Sequence, residues 1–526
     1  MLEHLIALVC CIAVLLLTLA GCTRNARLLP DRRKTIPNAF WGAHLGPWGL
    51  GWSTWQRVVV PSLYNRYRNL QSEALRLRPN AFDISGAPLL VKKLFSRSDK
   101  GHFYNTFSHV SDQKTLFEET SLRDAQNFKR AAGAFLNPAS NYGQLCRYTF
   151  DACEKVRVSI RFGLETKAYV ELYDLLGLIP VEVVLRHLLG DAYAPRLLPL
   201  DQRWEDQGWT GRDCMHEIYS IYQDLPSMQL WRWLSDMFSF VARWRSHGSE
   251  SGQCPVSPVD QTCVQRCERA IRTREQQPKI VQELSKAWAE EKEGSLDEEA
   301  IAEVATRAGI EIADNAFAAH LCSISILHAL QNLARHPSWQ EEIHRDLIGA
   351  EQYAGRSDES SLKNSVLKAC RPLQAVIWET FRHSPPVAGL QHRIVNDTRA
   401  LQESGLEHLI MPGDEVTGSA YILNRNERTW RDPDRWDPSR WMGEGISAKK
   451  SEVYTFSSGS RSCGGQKLAE YLCPAVCAYL VLHYRFYPPE GHHASLSAAD
   501  SCGGYIAYPY VAADGSVPGL ILERRT

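Results

Sequence analysis

The chain lacks a surplus of either charge. Its 59 Lys and Arg are matched by 60 Asp and Glu, for a formal net charge of −1. Nucleic-acid binding draws on a basic face or stripe, which this sequence does not have, so no nucleic-acid partner is expected. Zinc spacing is missing too. Fifteen cysteines are present, with no Cys-x-x-Cys pair and no Cys/His set among them. Cys263 and Cys267 are four residues apart, as are Cys473 and Cys477, which on a helix places each pair on one face. Fourteen of the fifteen read as buried free thiols of a reducing compartment. No linker or low-complexity run divides the 526 residues, and 44% hydrophobic with 23% charged content is ordinary for a globular chain with a large core.

No Lys or Arg precedes the apolar run Leu5 to Cys22, whereas Arg24, Arg27, Arg32, Arg33 and Lys34 follow it. The run is just long enough to span a bilayer. The basic residues on its far side predict that the bulk of the chain lies in the cytosol. A cleaved signal peptide wants a positive start and a shorter apolar core, and this run has neither. Leu19-Ala-Gly-Cys22 matches a bacterial lipoprotein box, but again without the leading charge. The expectation is an uncleaved single-pass anchor over residues 1–23, a hinge over 24–54 and one soluble domain over 55–526.

One cysteine stands apart. Phe456-Ser-Ser-Gly459-Ser-Arg461-Ser-Cys463-Gly-Gly465 is a glycine-rich turn that leads into a helix-like run. Its glycines allow a tight backbone. Backbone N–H groups and the positive end of the following helix favour a thiolate at Cys463. Such a loop suits a cysteine that binds a metal from one side as an axial ligand. The plainer alternative is a buried structural cysteine in a helix-entry turn.

Further motifs surround it. Glu379-Thr-Phe-Arg382 falls on an expected helix, Ala375 to Arg382, stopped by Ser384-Pro-Pro386, so carboxylate and guanidinium share a face. Trp436-Asp-Pro438-Ser-Arg440-Trp441 follows some sixty residues later. Ile310 to His336 reads as one long helix with Pro337 as its stop signal. Residues 78–85 read as a strand with its turn. The segments 170–189 and 224–244 are apolar and helix-compatible, and 286–299 is a charged, solvated run. A helix is expected from Cys463 to about His483, and a last hairpin over 505–510.

The order, spacing and chemistry of Glu379, Arg382, Arg440 and Cys463 resemble the cytochrome P-450 family. The likeness covers roughly residues 55 to 526, and the membrane-anchored style is similar to fungal secondary-metabolism members. It implies a mainly α fold with a small β-rich lobe, the cytochrome P-450 fold, preceded by one N-terminal transmembrane helix. It implies haem b with Cys463 as the axial thiolate in a loop closed by Gly465. Phe456 would shield the sulfur and haem edge. Arg461, Arg393 and one of Lys129 and Arg130, with Arg130 carried as the candidate, would meet the propionates. Glu379, Arg382 and Arg440 would form a buried structural triad. The family's distal helix carries an acid followed by threonine. Here the matching stretch is Ala318-Ala319-His320-Leu321-Cys322-Ser323, so His320, Cys322 and Ser323 are the candidate proton relay.

The implied activity is oxidation of an apolar small molecule with O₂ and electrons from NADPH through a cytochrome P-450 reductase. The departure on the distal helix keeps open a haem-thiolate isomerase, dehydratase or peroxide-dependent enzyme that needs no reductase. The implied location is the endoplasmic reticulum membrane, with the catalytic domain on the cytosolic side.

Overall fold

The computed structural model describes residues 36–37, 52–78, 81–96, 142–160, 167–171, 179–190, 203–204, 209–210, most of 265–272, 279–292, 298–349, 362–387, 393–395, 402, 406, 409–412, 414–443, 446–458, 462–489 and 519–525. The expected anchor and most of the hinge lie outside them, as do Arg130, Arg461, the 224–244 segment and the 505–510 hairpin. No helix among the described residues is long and apolar enough to cross a membrane.

Helices dominate. The described elements run α1 (Trp52–Leu70), β1 (Leu75–Arg78), β2 (Ala81–Asp83), α2 (Pro88–Ser96), α3 (Tyr142–Ser159), β3 (Lys167–Glu171), α4 (Ile179–Leu189), β4 (Arg203–Trp204), β5 (Trp209–Thr210), α5 (Lys279–Lys292) and α6 (Glu298–Arg335). They continue with α7 (Pro337–Gly349), α8 (Asn364–Ala369), α9 (Arg371–His383), β6 (Arg393–Ile394), β7 (Glu415–Thr417), α10 (Ala420–Leu423), a 3₁₀ turn (Pro438–Trp441), α11 (Ile446–Lys450), α12 (Gln466–His483), β8 (Tyr484–Tyr487) and β9 (Gly519–Arg524).

Two small sheets flank the helices. One has strand order β1-β2-β7-β6, the other β3-β9-β8, and β4 pairs with β5 alone. The first sheet mixes directions: β2 runs parallel to β7, whereas β6 and β7 are antiparallel. Its apolar face joins Phe82, Ile84 and Val416 to Leu90, Val91 and Phe95 of α2, with Tyr454 beside them.

The large core lies between α3, α4, α6, α7, α9 and α12. Helix α12 is its centre. Leu468, Leu472, Val476 and Leu480 are buried, and so are Tyr471, Ala475, Ala478 and Tyr479 on its other sides. A helix apolar all round belongs inside a protein, and α12 is packed accordingly.

Two sequence expectations are corrected. Residues 167–171 form a strand, so the helix of the 170–189 segment is confined to Ile179–Leu189. Val170 pairs with Leu520 and Tyr169 with Ile521, partners far away in sequence. Ala168 and Val170 face inward while Tyr169 is 52% exposed, a two-residue alternation too short to register in a helical reading. Residues 78–85 hold a strand with its turn, as expected: β2 covers Ala81–Asp83, with Arg78 opposite Ala81. The charged run 286–299 contains the end of α5 and the start of α6, and Lys286 and Glu298 in it are exposed, as expected of a solvated run. Finally α6 opens at Glu298, well before Ile310, and runs 38 residues to Arg335. Its end, just ahead of Pro337, agrees with the stop signal.

Candidate active site

Glu379 and Arg382 sit on the last turns of α9, both 0% exposed. The i,i+3 spacing on α9 leaves these two on one face. Arg382 grips the carboxylate with both arms: Nε donates to Oε2 at 2.9 Å and Nη2 to Oε1 at 2.7 Å. Its remaining N–H groups donate to the carbonyls of Asn424 at 2.9 Å, Pro433 at 2.8 Å and Arg435 at 3.1 Å. A fork of five donors is thereby satisfied, which a lysine at this position cannot match.

Arg440 reaches the same carboxylate less closely. Its Nε lies 3.4 Å from Glu379 Oε1 as an ion pair, and its side chain is 12% exposed. Its stronger bonds go to backbone: Nη1 to the Arg431 carbonyl at 2.5 Å and Nη2 to that of Asp432 at 2.8 Å. Asp432 has φ 46°, so Arg440 steadies a turn held in the left-handed region. Two further donors complete Glu379, and the sequence reading did not single them out. The Asp437 backbone N–H donates to Oε1 at 2.8 Å and the Trp441 indole N–H to Oε2 at 2.9 Å. The signal was Trp441 itself, an aromatic with a polar handle directly after Arg440.

Aromatic rings carry this network toward the cysteine loop. Trp441 lies 5.8 Å from Trp378, ring centre to ring centre. Phe456 stands edge-on to Phe381 at 5.0 Å and to Trp378 at 6.3 Å. The Phe456 ring is thus turned into the α9 cluster, and its backbone carbonyl is what accepts the Cys463 N–H, at 2.9 Å. Ser457, next in the loop, has φ 59°, a strained conformation for a residue with a Cβ.

Cys463 precedes α12 by one short turn, with Gly465 as the N-cap residue. Among the described cysteines its thiol alone is exposed; Cys322 is half-buried and the rest are buried. No cluster of three or more His, Cys, Asp or Glu suited to a metal occurs among the described residues. An exposed cysteine at a helix head fits a cofactor that takes one protein ligand on one face, as a haem does. A multidentate metal site is not what these residues build.

The distal stretch lies in the middle of α6. His320 and Ser323 are 0% exposed. Burial pushes the His320 imidazole down to about 3, so it is neutral at pH 7. Cys322 faces α12: the Cys473 thiol approaches the Cys322 carbonyl at 3.8 Å, a weak sulfur contact. Helix α6 is therefore in contact with the helix that Cys463 leads into. The Arg393 backbone is placed in β6 opposite Val416, and its side chain lies outside the described set.

The family model for cytochrome P-450 matches residues 89–500. The 25-hydroxyvitamin D-1 alpha hydroxylase, mitochondrial, of Rattus norvegicus is 29% identical over 164 residues, 31% of each chain. The cytochrome P-450 monooxygenase hepC of Aspergillus oryzae is 30% identical over 166 residues, again 31% of each. The eburicol 14-alpha-demethylase of Penicillium italicum is 29% identical over 178 residues, 31% of this chain and 33% of that one. The chain matches about a third of the length of each of these relatives. With the family model spanning most of its length, the chain belongs to the cytochrome P-450 family.

Proposed function

We propose that the protein is a haem-thiolate monooxygenase. It oxidises an apolar small molecule, by hydroxylation, epoxidation or a related step, using O₂ and electrons passed from NADPH by a cytochrome P-450 reductase. The observation that carries this reading is the seat of Cys463: an exposed thiol at the head of α12. Its N–H is held by Phe456, whose ring packs into the α9 cluster beside the buried Glu379–Arg382 pair.

Haem b bound through Cys463 supplies the oxygen chemistry, with the thiolate favouring O–O cleavage. The chain supplies position and protons. Phe456 and the Glu379 network set the height of the loop. Arg461, Arg393 and Arg130 are assigned to the propionates, where guanidinium groups bind carboxylates in pairs of hydrogen bonds. His320 stays neutral, so it keeps one N–H and one acceptor nitrogen and can hand on a proton without carrying charge. Cys322 and Ser323 continue that path. Leu5 to Cys22 is assigned as the anchor, which places the enzyme on the endoplasmic reticulum with this domain in the cytosol. The substrate is assigned to secondary-metabolite intermediates on the style of the sequence motifs.

The distal helix supports a second reading. Leu321 and Cys322 stand where the acid and threonine of the family belong, which suits an isomerase, dehydratase or peroxide-dependent enzyme. One set of assays separates these. Cys463→Ser is expected to lose the thiolate-type, red-shifted Soret band of the reduced carbon monoxide complex; a variant that keeps the band overturns the ligand assignment. Turnover of candidate intermediates that needs NADPH and reductase supports the monooxygenase. Turnover without them replaces it with the second reading.

A further inference from the structure

We infer that Asn424 is a positioning residue for the Cys463 loop, a role that rests on Cys463 being the iron ligand. Asn424 is 0% exposed and lies just after α10, between α9 and the segment that enters the loop. Three of its groups are engaged. Its carbonyl accepts from Arg382 Nη1 at 2.9 Å. Its Oδ1 accepts from the Tyr454 backbone N–H at 2.7 Å. Its Nδ2 donates to Thr455 Oγ1 at 3.0 Å, and that hydroxyl donates to the Phe381 carbonyl at 2.5 Å.

The neighbours dictate which way the amide points. The Tyr454 N–H has only a proton to offer, so oxygen must face it. The Thr455 hydroxyl proton goes to Phe381, which leaves a lone pair on Oγ1 for the amide N–H. Asparagine meets both demands with one side chain. Aspartate keeps the acceptor for Tyr454 but turns a second acceptor toward Thr455, whose proton must then leave the buried Phe381 carbonyl. Leucine has a similar size and meets neither demand.

From Tyr454 and Thr455 the hold passes to the ligand. The Ser457 N–H donates to the Tyr454 carbonyl at 2.8 Å, closing the turn in which Ser457 takes its positive φ. Phe456, between them, receives the Cys463 N–H on its carbonyl. Shifting residues 454 and 455 therefore shifts both ends of that turn and the backbone atom that fixes Cys463. Asn424 also receives Arg382, so one residue couples the buried ion pair to the loop.

The test uses full-length, haem-loaded protein and reads the ratio of thiolate-type to non-thiolate Soret absorption in the reduced carbon monoxide complex, well below the unfolding temperature. Asn424→Leu is expected to move that ratio toward the non-thiolate form by on the order of ten-fold, the effect of orphaning a buried hydrogen-bonding group. Thr455→Val should move it in the same direction by less, with Asn424→Asp between wild type and Asn424→Leu. Val281→Ala, a cavity in α5, should lower thermal stability and leave the ratio alone. If Asn424→Leu yields no haem protein, Thr455→Val decides. Wild-type ratios in both variants overturn the role of Asn424, as does an equal shift in Val281→Ala. A wild type with no thiolate-type band overturns the ligand reading, and this role with it.

Discussion

Trp441→Phe isolates one bond of the Glu379 network. The indole N–H donates to Glu379 Oε2 at 2.9 Å, in a place where Trp441 is 3% exposed and Glu379 is 0% exposed. A hydrogen bond to a charged group contributes about 1.5–3 kcal/mol. The lower part of that range is expected, because the carboxylate keeps Arg382, the Asp437 N–H and the more distant Arg440. Trimming an indole to a phenyl also removes buried area, which must be subtracted. Trp430 supplies the reference. It is 4% exposed, its ring centre is 5.6 Å from that of Trp441, and its indole nitrogen has no hydrogen-bond partner among the described residues. Trp430→Phe removes the same atoms without the bond but also weakens the contact of its ring with the Arg382 guanidinium, 5.5 Å away, so the difference between the two variants is the bond less that contact. The assay is chemical denaturation of the haem-loaded protein, followed by loss of the thiolate-type Soret band. Trp441→Phe should be less stable than Trp430→Phe by up to roughly 1.5–2 kcal/mol. Equal losses, or a larger loss at Trp430, would refute the claim that the indole helps hold the carboxylate.

Acid should unfold the protein through its buried histidines. Burial holds His320 and His328 at about 3, below the unfolded value of about 6.5. The unfolded state thus binds more protons, and the stability that depends on these groups is whole above about pH 6.5 and falls as pH drops toward 3. At pH 5 each histidine accounts for about 2 kcal/mol of loss, so His328→Gln should flatten the pH dependence between 7.5 and 5; an unchanged slope speaks against its burial. Gly86→Ala should destabilise by more than about 2 kcal/mol, because a Cβ there would lie 2.1 Å from the Ser72 carbonyl oxygen, whereas Gly443→Ala, with open space around it, should be nearly silent. Thermal unfolding of the pair checks this, and equal midpoints would contradict it. Deletion of residues 1–23 should leave a haem-binding protein largely in the soluble fraction; firm membrane retention after deletion would point to a second span.

Local chemistry written in consecutive residues was legible in the sequence. The helix after Cys463 was expected to reach His483 and ends there, because a long apolar run entered through a glycine turn has few other ways to fold. The stop of α6 before Pro337 was legible for the same reason, since proline and its ring act on adjacent residues. Glu379 and Arg382 share a helix face through spacing alone. What needed the tertiary structure were pairings between distant segments. Strand β3 exists because β9 lies beside it, and nothing in residues 167–171 announces a partner near the end of the chain. Trp441 and the Asp437 N–H meet Glu379 only because the chain folds back on α9 after sixty residues. The neutrality of His320 is likewise a tertiary fact: the residue type suggests a group that titrates near pH 7, and complete burial in the middle of α6 removes the water that would stabilise its charge. Asn424 is the plainest case. In the sequence it is one polar residue after an apolar turn, and only packing brings Arg382, Tyr454 and Thr455 to three of its polar groups.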